Sequence, residues 1–305
     1  MTQTGSQVST APARTVPAAG PRPGAPARTG TGRRNRRAAG IYVVLMALAM
    51  LFAGPFAWLL LAALKTKPEW VSLPTRILPE DPQWSNFAEA FSSINFPAYT
   101  MNSLFLSTVY ATLVTLSSAA VGFGFARLRG PGKRILFVVV LSTMMLPQIL
   151  TLIPTYVLFA RIGLVNTYWP WVLWGLAASP YLVFLFRQFF AAIPKEIEDA
   201  AILDGCGYGR IFLRIFLPLS KPALLTAFLL SFTWTWGDFI APALLLDVDH
   251  TTLSVAITWY LDPHGNPIAT VQAAGAALYI VPVLLIFLFA QRYFIRSVVS
   301  TGVKG

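Results

Sequence analysis

The sequence predicts an all-α membrane protein: six transmembrane helices, with a helix–turn–helix loop between the fourth and fifth. Three observations carry that expectation. Charged residues make up 11% of the 305 positions and hydrophobic ones 56%, whereas a soluble domain carries about 25% charged residues. The apolar residues come in blocks, and a block of about 18 or more can cross the hydrocarbon core as a helix. Lysine and arginine gather in alternate connections between the blocks, as topology signals do.

Residues 1–38 are rich in Ala, Pro, Gly, Thr and Arg, with almost nothing to bury, and read as a disordered basic tail. Arg33, Arg34, Arg36 and Arg37 stand directly before the first apolar block. A twin-arginine export signal is the alternative reading. The block that follows is too long for a cleavable h-region, and no small-residue cleavage pattern closes it. A basic anchor that keeps the tail in the cytoplasm fits better.

The six spans are residues 41–64, 103–126, 135–160, 169–190, 222–246 and 271–291, within a transmembrane domain over 39–296 and before a short tail at 297–305. Pro55, Pro147, Pro154, Pro180, Pro242 and Pro282 fall inside them. None vetoes a helix, because neighbouring helices in a bundle satisfy the carbonyls that a proline frees. Nineteen Lys and Arg lie on the side of the two termini, and four, Lys65, Lys67, Arg76 and Arg161, on the other. The positive-inside rule then places both termini in the cytoplasm. Of the outer connections, residues 65–99 hold Trp70, Pro74, Pro79, Pro82, Trp84 and Phe87 and are expected to fold onto the bundle. Residues 247–270 carry Asp247, Asp249 and Asp262 and no Lys or Arg.

The net charge of +11 does not point to nucleic acid, since seven of the 23 basic residues sit in the first 37 positions and most others between apolar blocks. That placement suits topology and contact with the lipid bilayer. Cys206 is the single cysteine, so no intrachain disulfide forms. The His, Cys and carboxylate positions show no ligand spacing, and no metal is expected.

The richest segment is the fourth-to-fifth connection, about residues 191–220. Pro194 suits the first turn of a helix, and Glu196, Glu198 and Asp199 crowd that turn, where the helix dipole favours carboxylates. Ala200 and Ala201 continue the helix and permit close approach. Asp204-Gly205 breaks it, glycine being able to take the left-handed conformation that ends one helix and redirects the next. Ile211, Phe212, Ile215, Phe216 and Leu219 then form a stripe at helical spacing, flanked by Arg210 and Arg214. Pro218 ends or kinks the second helix. The product is a helix–turn–helix knob, with Tyr208 in its glycine-flanked turn as an aromatic anchor of the kind interfaces favour.

Asp199-Ala200-Ala201, Gly205 and Ile215-Phe216-Leu217-Pro218 resemble the Glu-Ala-Ala…Gly…Ile-x-Leu-Pro signature of binding-protein-dependent importer permeases, with every spacing kept and Asp in place of Glu at 199. The resemblance covers nearly all of residues 41–305. Asn102-Ser103-Leu104, Gly163-Leu164-Val165, Phe186-Arg187-Gln188-Phe189-Phe190, Trp236-Gly237-Asp238-Phe239, Thr252-Leu253 and Gln291-Arg292-Tyr293-Phe294 look like the shorter permease of maltose-type carbohydrate importers in bacterial plasma membranes. That family usually has Asn where Gly237 stands. The resemblance implies that Glu196, Asp199, Ala200, Ala201, Asp204, Gly205, Tyr208, Phe212, Ile215 and Pro218 belong to coupling helices docking in a cleft of an ATPase subunit. It also implies a second homologous permease, two ATPase subunits that hold ATP and magnesium, an extracytoplasmic solute-binding protein and a carbohydrate substrate.

Four residues are candidates for a substrate path. Asp238 is the one acidic residue well inside an apolar run: a functional membrane carboxylate, or a solvated residue or helix cap near the outer end of the fifth span. Gln148 lines a polar path or serves as interhelical glue. Trp234 and Trp236 stack on a sugar or anchor the chain at the membrane interface. No Gly-x-x-x-x-Gly-Lys occurs, so no cofactor and no ATP is expected on this chain. Gly122 and Gly124 are better explained by close helix packing. A secondary transporter would need intramembrane charges that the spans lack, and a membrane enzyme a clustered catalytic set that they also lack.

Overall fold

The computed structural model describes residues 31–302 apart from Thr75, Asp262 and Pro263, with side chains described from Gly40 to Phe289. By its contacts the chain divides at Ala53–Gly54, and the packing described here is that of the second unit. No strand occurs among the described residues. Four helices are long and apolar enough to cross a membrane, and two bent pairs bring the number to as many as six.

Helix α1 (Thr31–Ala63) contains the first expected span, with Pro55 inside it. It starts earlier than expected, so the end of the region read as a tail is helical; residues 1–30 lie outside the described residues. Helices α2 (Lys67–Val71) and α3 (Ser85–Ser92) then fold the outer connection onto the unit, as its aromatic and proline content predicts. Thr66 and Glu69 form a capping box at α2, and Asn86 donates to the carbonyls of Ala63 and Lys65 at 2.8 and 3.0 Å.

Helix α4 (Phe96–Arg127) is the spine of the bundle. Ser103, Ser107, Ala111, Thr115, Ser118, Ala119 and Gly122 recur every three or four residues on its buried side, and such a run of small side chains lets neighbouring backbones approach closely. Helix α5 (Lys133–Ser142) continues as a 3-10 turn to Met145, and α6 (Gln148–Arg161) leaves it at 97°. The third expected span is therefore broken. Pro147 has no N–H, and the residue before a proline is pushed out of the helical region; Leu146 is extended at φ −80, ψ 116. Pro154, in α6, bends nothing so sharply.

The fourth span comprises α7 (Trp169–Leu176) and α8 (Pro180–Ala191). Both pack on α4, as does α12 below. Ser117 donates to the Gly175 carbonyl at 2.6 Å, and the Ser179 amide donates to Ser118 Oγ at 2.9 Å, so the break before Pro180 is held on the spine. A Cβ on Gly122 would lie 2.7 Å from Phe186 Cβ, and one on Gly175 2.8 Å from Leu113 Cβ. Gly122 is a close-packing glycine, as expected. Gly124 is not, since its nearest neighbour would be 3.9 Å away.

The knob follows as α9 (Lys195–Leu203), α10 (Tyr208–Ile211), a π turn over Phe212–Phe216 and α11 (Leu217–Leu219), with α12 (Lys221–Gly237) departing at 79°. The fifth span is shorter than expected. It ends at Gly237, and a separate α13 (Ile240–Leu245) follows. Helix α14 (Leu253–Ala256) and a 3-10 turn lead to α15 (Ala269–Gly302), the sixth span, which also covers most of the expected C-terminal tail. Tyr260 lies across Gly275 of α15 and donates to the Ala90 carbonyl at 2.5 Å, tying α15 to α3.

Candidate functional site

The knob is built as its sequence predicts at the turn and differently along its second arm. Gly205 has φ +77, a conformation open to glycine at little cost. Around it the Cys206 amide donates to Ala201 O at 2.9 Å and the Gly205 amide to Ile202 O at 2.9 Å. These two bonds are the Schellman closure of a helix end. Ala201 and Cys206 both pack into the main apolar cluster, which supplies the hydrophobic contact that accompanies this closure. Along the second arm the expected α-helical stripe is opened into a π turn. Pro218 cannot donate to the carbonyl four residues back and its ring crowds that carbonyl, so a wider turn before it relieves both. Leu219, placed on the buried stripe by helical periodicity, is exposed as a result.

The knob has two faces. Inward, Phe212 and Phe216 close on Phe123 with ring centroids 5.1 and 5.0 Å apart, and Phe190 lies 5.7 Å from Phe216. Arg127, the last residue of α4, is the centre of this face. Its Nη1 lies 3.2 Å from Glu198 Oε2, with the two side chains 5% and 11% exposed. Its Nη2 donates to the carbonyls of Phe190, at 2.5 Å, and Ile193. Its guanidinium carbon sits 4.9 Å from the centre of the Phe216 ring. Ile215 is half-buried beside the same cluster. Outward, Glu196, Asp199, Ala200, Asp204, Tyr208 and Pro218 are exposed, together with Leu203 at 89%. Ala201 is buried, on the inward side.

Sequence reasoning missed Arg127 and assigned Glu198 only to the helix dipole. The available signal was that Glu198 and Ala201 share a helical face, three residues apart, while Asp199 and Ala200 point elsewhere.

The four substrate-path candidates are not brought together. Gln148 is exposed at the start of α6, after the break. Trp234 is 66% exposed. Trp236, two residues on and so on the opposite side of the helix, is buried. Phe232 and Tyr279 stack on its ring at 5.9 and 5.3 Å, so its ring is engaged within the chain. Asp238 is a cap: its Oδ1 accepts from the amides of Ile240 at 3.1 Å and Ala241 at 3.3 Å, at the entry to α13. A groove of about 380 Å³ between α6 and α13 is lined by Ile149, Leu152, Ile153, Phe239, Ile240, Ala243 and Leu244. These side chains carry no polar group that would orient a sugar.

Two of the family-like segments meet at the opposite end of α4. Asn102 donates to the carbonyls of Asp249 and Thr251 at 3.2 and 3.1 Å, and the Leu253 amide donates to Ser103 Oγ at 2.8 Å. Tyr168 donates to the His250 carbonyl at 3.0 Å. Asp247 accepts from His250 Nδ1 at 2.6 Å, and that bond holds its carboxyl below the usual carboxylate range. The loop after the fifth span is thus latched to the start of the second.

The model of the family described as "Binding-protein-dependent transport system inner membrane component" matches residues 118–300, from the middle of α4 through the knob into α15. The arabinooligosaccharides transport system permease protein AraQ of Bacillus subtilis is 34% identical over 265 residues, covering 85% of this chain and 93% of AraQ. The melibiose/raffinose/stachyose import permease protein MelC of the same organism is 32% identical over 254 residues, covering 82% of this chain and 91% of MelC. A solved bacterial ABC transporter involved in the import of the acidic polysaccharide alginate contains a chain with the same fold. It superposes at a TM-score of 0.71 with 21% identity, over 88% of this chain and 100% of that one. With its signature spacing, its all-helical fold and these matches, this chain belongs to the family of binding-protein-dependent transport system inner membrane components, the permease subunits of ABC importers.

Proposed function

We propose that this permease serves an importer of a sugar or sugar-like solute, and that its knob docks in a separate ATPase subunit. The carrying observation is the division of the knob's faces. The inner face is fixed to α4 by Arg127, Glu198 and the phenylalanine cluster. The outer face offers Leu203 and Tyr208 beside the Gly205 turn, exposed among the described residues. Apolar and aromatic side chains exposed at the tip of a rigid projection suit a partner's cleft. The sugar reading rests on relatives whose names specify oligosaccharide transport.

In this reading each bent pair is one span, giving six, with both termini and the knob in the cytoplasm. A second homologous permease completes the path, two ATPase subunits hold ATP and magnesium, and an extracytoplasmic binding protein delivers the solute. ATP binding closes the ATPase pair and moves the docked knob. Because the knob is fixed to α4, α8 and α12 follow as a body, a rigid-body switch between inward- and outward-open states. Trp234 and Gln148, both exposed, are the path candidates that remain open to solute.

The test is Gly205→Val in the assembled, reconstituted transporter. A β-branched residue at φ +77 costs at least about 1–2 kcal/mol locally, yet a Cβ there meets nothing within 4 Å, so the bundle itself is undisturbed. Hydrolysis is expected to continue with uptake lost, or the ATPase to dissociate. Wild-type coupled uptake would count against docking through this turn.

A further inference from the structure

A groove of about 450 Å³ lies at the same end of α4 as the knob's inner face. It is lined by Phe125, Gly130, Lys133, Arg134, Phe137 and Arg187. Three cations thus converge from the start of α5 and from the middle of α8, and no carboxylate is in the lining. None of the three is ion-paired among the described residues.

The cations are arranged rather than merely close. Arg187 lies over the Phe137 ring, 4.3 Å from its centre, which occupies the face of the guanidinium and leaves its N–H edge for hydrogen bonds. Lys133 gives one proton to the Leu128 carbonyl, and an ammonium carries three. Phe137 is braced by Phe125 and Phe184, at 5.2 and 6.5 Å. A fork and an ammonium above an aromatic floor suit a phosphate group, which takes several charge-assisted hydrogen bonds at once.

From this groove α5 runs into its apolar stretch, and Ile135, Leu136, Val138 and Val139 are all exposed along it. The charged groove and the apolar stretch form a continuous surface: polar at the end of a span, apolar along its length. A soluble phosphate needs only the first part. An amphiphile uses both.

We propose that this groove is a specific site for the phosphate headgroup of an anionic membrane lipid, with acyl chains lying along α5. A basic pocket between helices at a membrane face is a known physical form of such a site. Each cation near an anionic surface contributes on the order of a fivefold change in affinity.

The full chain in detergent micelles, examined by native mass spectrometry with phosphatidylglycerol and phosphatidylcholine of identical acyl chains, tests this. One phosphatidylglycerol should be retained at least about tenfold more tightly than phosphatidylcholine. Lys133→Gln with Arg187→Gln should abolish the preference, and Arg134→Gln, at an exposed position that folding tolerates, should reduce it about fivefold. Lys195→Gln with Lys221→Gln, two cations on the same side but outside the groove, should leave it intact. The proposal is overturned if phosphatidylglycerol is not preferred, or if the Lys195/Lys221 pair loses the preference as fully as the groove pair. Displacement of the lipid by inorganic phosphate or glycerol 3-phosphate would reassign the groove to a soluble anion and equally overturn it.

Discussion

Breaking the Arg127–Glu198 pair measures how firmly the knob is held. At 3.2 Å and an effective dielectric of about 20, the Coulomb attraction is about 5 kcal/mol. Desolvating two ions consumes several kcal/mol of that, so the intact pair contributes little net stability. Removing one partner is different, because it strands the other charge, at a cost of about 3–5 kcal/mol. Arg127→Met strands the carboxylate and also deprives the Phe190 and Ile193 carbonyls of their donor, so it belongs at the top of that range. Glu198→Met leaves Arg127 with both carbonyls and belongs at the bottom. In a chain of this size roughly 2–4 °C of melting temperature accompanies each kcal/mol, which puts Arg127→Met about 10 °C or more below wild type. The double variant, with neither charge left unpaired, should melt well above the sum of the two losses, with a coupling of about 3 kcal/mol. The assay is a thermal melt of the full chain in one detergent at one scan rate. Single variants within about 2 °C of wild type, or strictly additive losses in the double, would refute the pair's role in fixing the knob.

Three further outcomes follow from local geometry. Gly122→Ala should destabilise by about 1–3 kcal/mol by overpacking against Phe186, while Gly124→Ala, with room for its methyl, should be neutral or stabilise by up to about 1 kcal/mol; paired melts compare the signs. Glu69 accepts from the amides of Thr66 and Glu80 at 2.8 and 2.7 Å, and these bonds hold its carboxyl below the usual glutamate range. The unfolded chain therefore binds the proton first as pH falls, so the stabilisation is complete above about pH 4.5 and lost as pH drops through the folded value. The melting gap between wild type and Glu69→Gln should be largest at neutral pH and shrink as pH falls through the carboxylate range, closing only below the depressed folded value. Asp238→Ala should cost about 1 kcal/mol as a lost cap. Asp238→Asn should recover most of that in a melt, and uptake measured on the same Asn variant reports whether the charge itself has a transport role.

Block length and charge placement made the membrane class, the helical segments and the knob legible from residue types alone. What they could not resolve was where an apolar block stops being one helix. Pro147 and Pro154 are the same residue seven positions apart, yet one stands at a 97° break and the other inside a helix. Leu146, before Pro147, is extended, whereas Pro154 stands inside α6, and the identity of the residue alone does not tell the two apart. Asp238 was ambiguous for a related reason: a carboxylate in an apolar run is either a buried charge or a cap, and only the two amides that meet it decide. Arg127 and Glu198 lie 71 residues apart, beyond any periodicity. The pairing of Trp234 with Trp236 was avoidable, since residues two apart on a helix cannot share a face.

The adjacent carboxylates of the knob show how one short helix serves two surfaces. Glu198 is turned inward and satisfied by Arg127, while Asp199 is exposed beside Ala200. The departure from the family pattern, Asp for Glu at 199, therefore falls on the outer surface alone. Shortening that side chain by one methylene changes nothing in the packing that fixes the knob to α4, because no inward contact involves it. If the knob docks as proposed, the reach asked of this carboxylate can vary without altering the knob's posture. The converse does not hold: a change at Glu198 alters the posture of every outward residue together, since Asp199, Leu203 and Tyr208 are carried on the arms that the buried pair and the Gly205 turn hold in place.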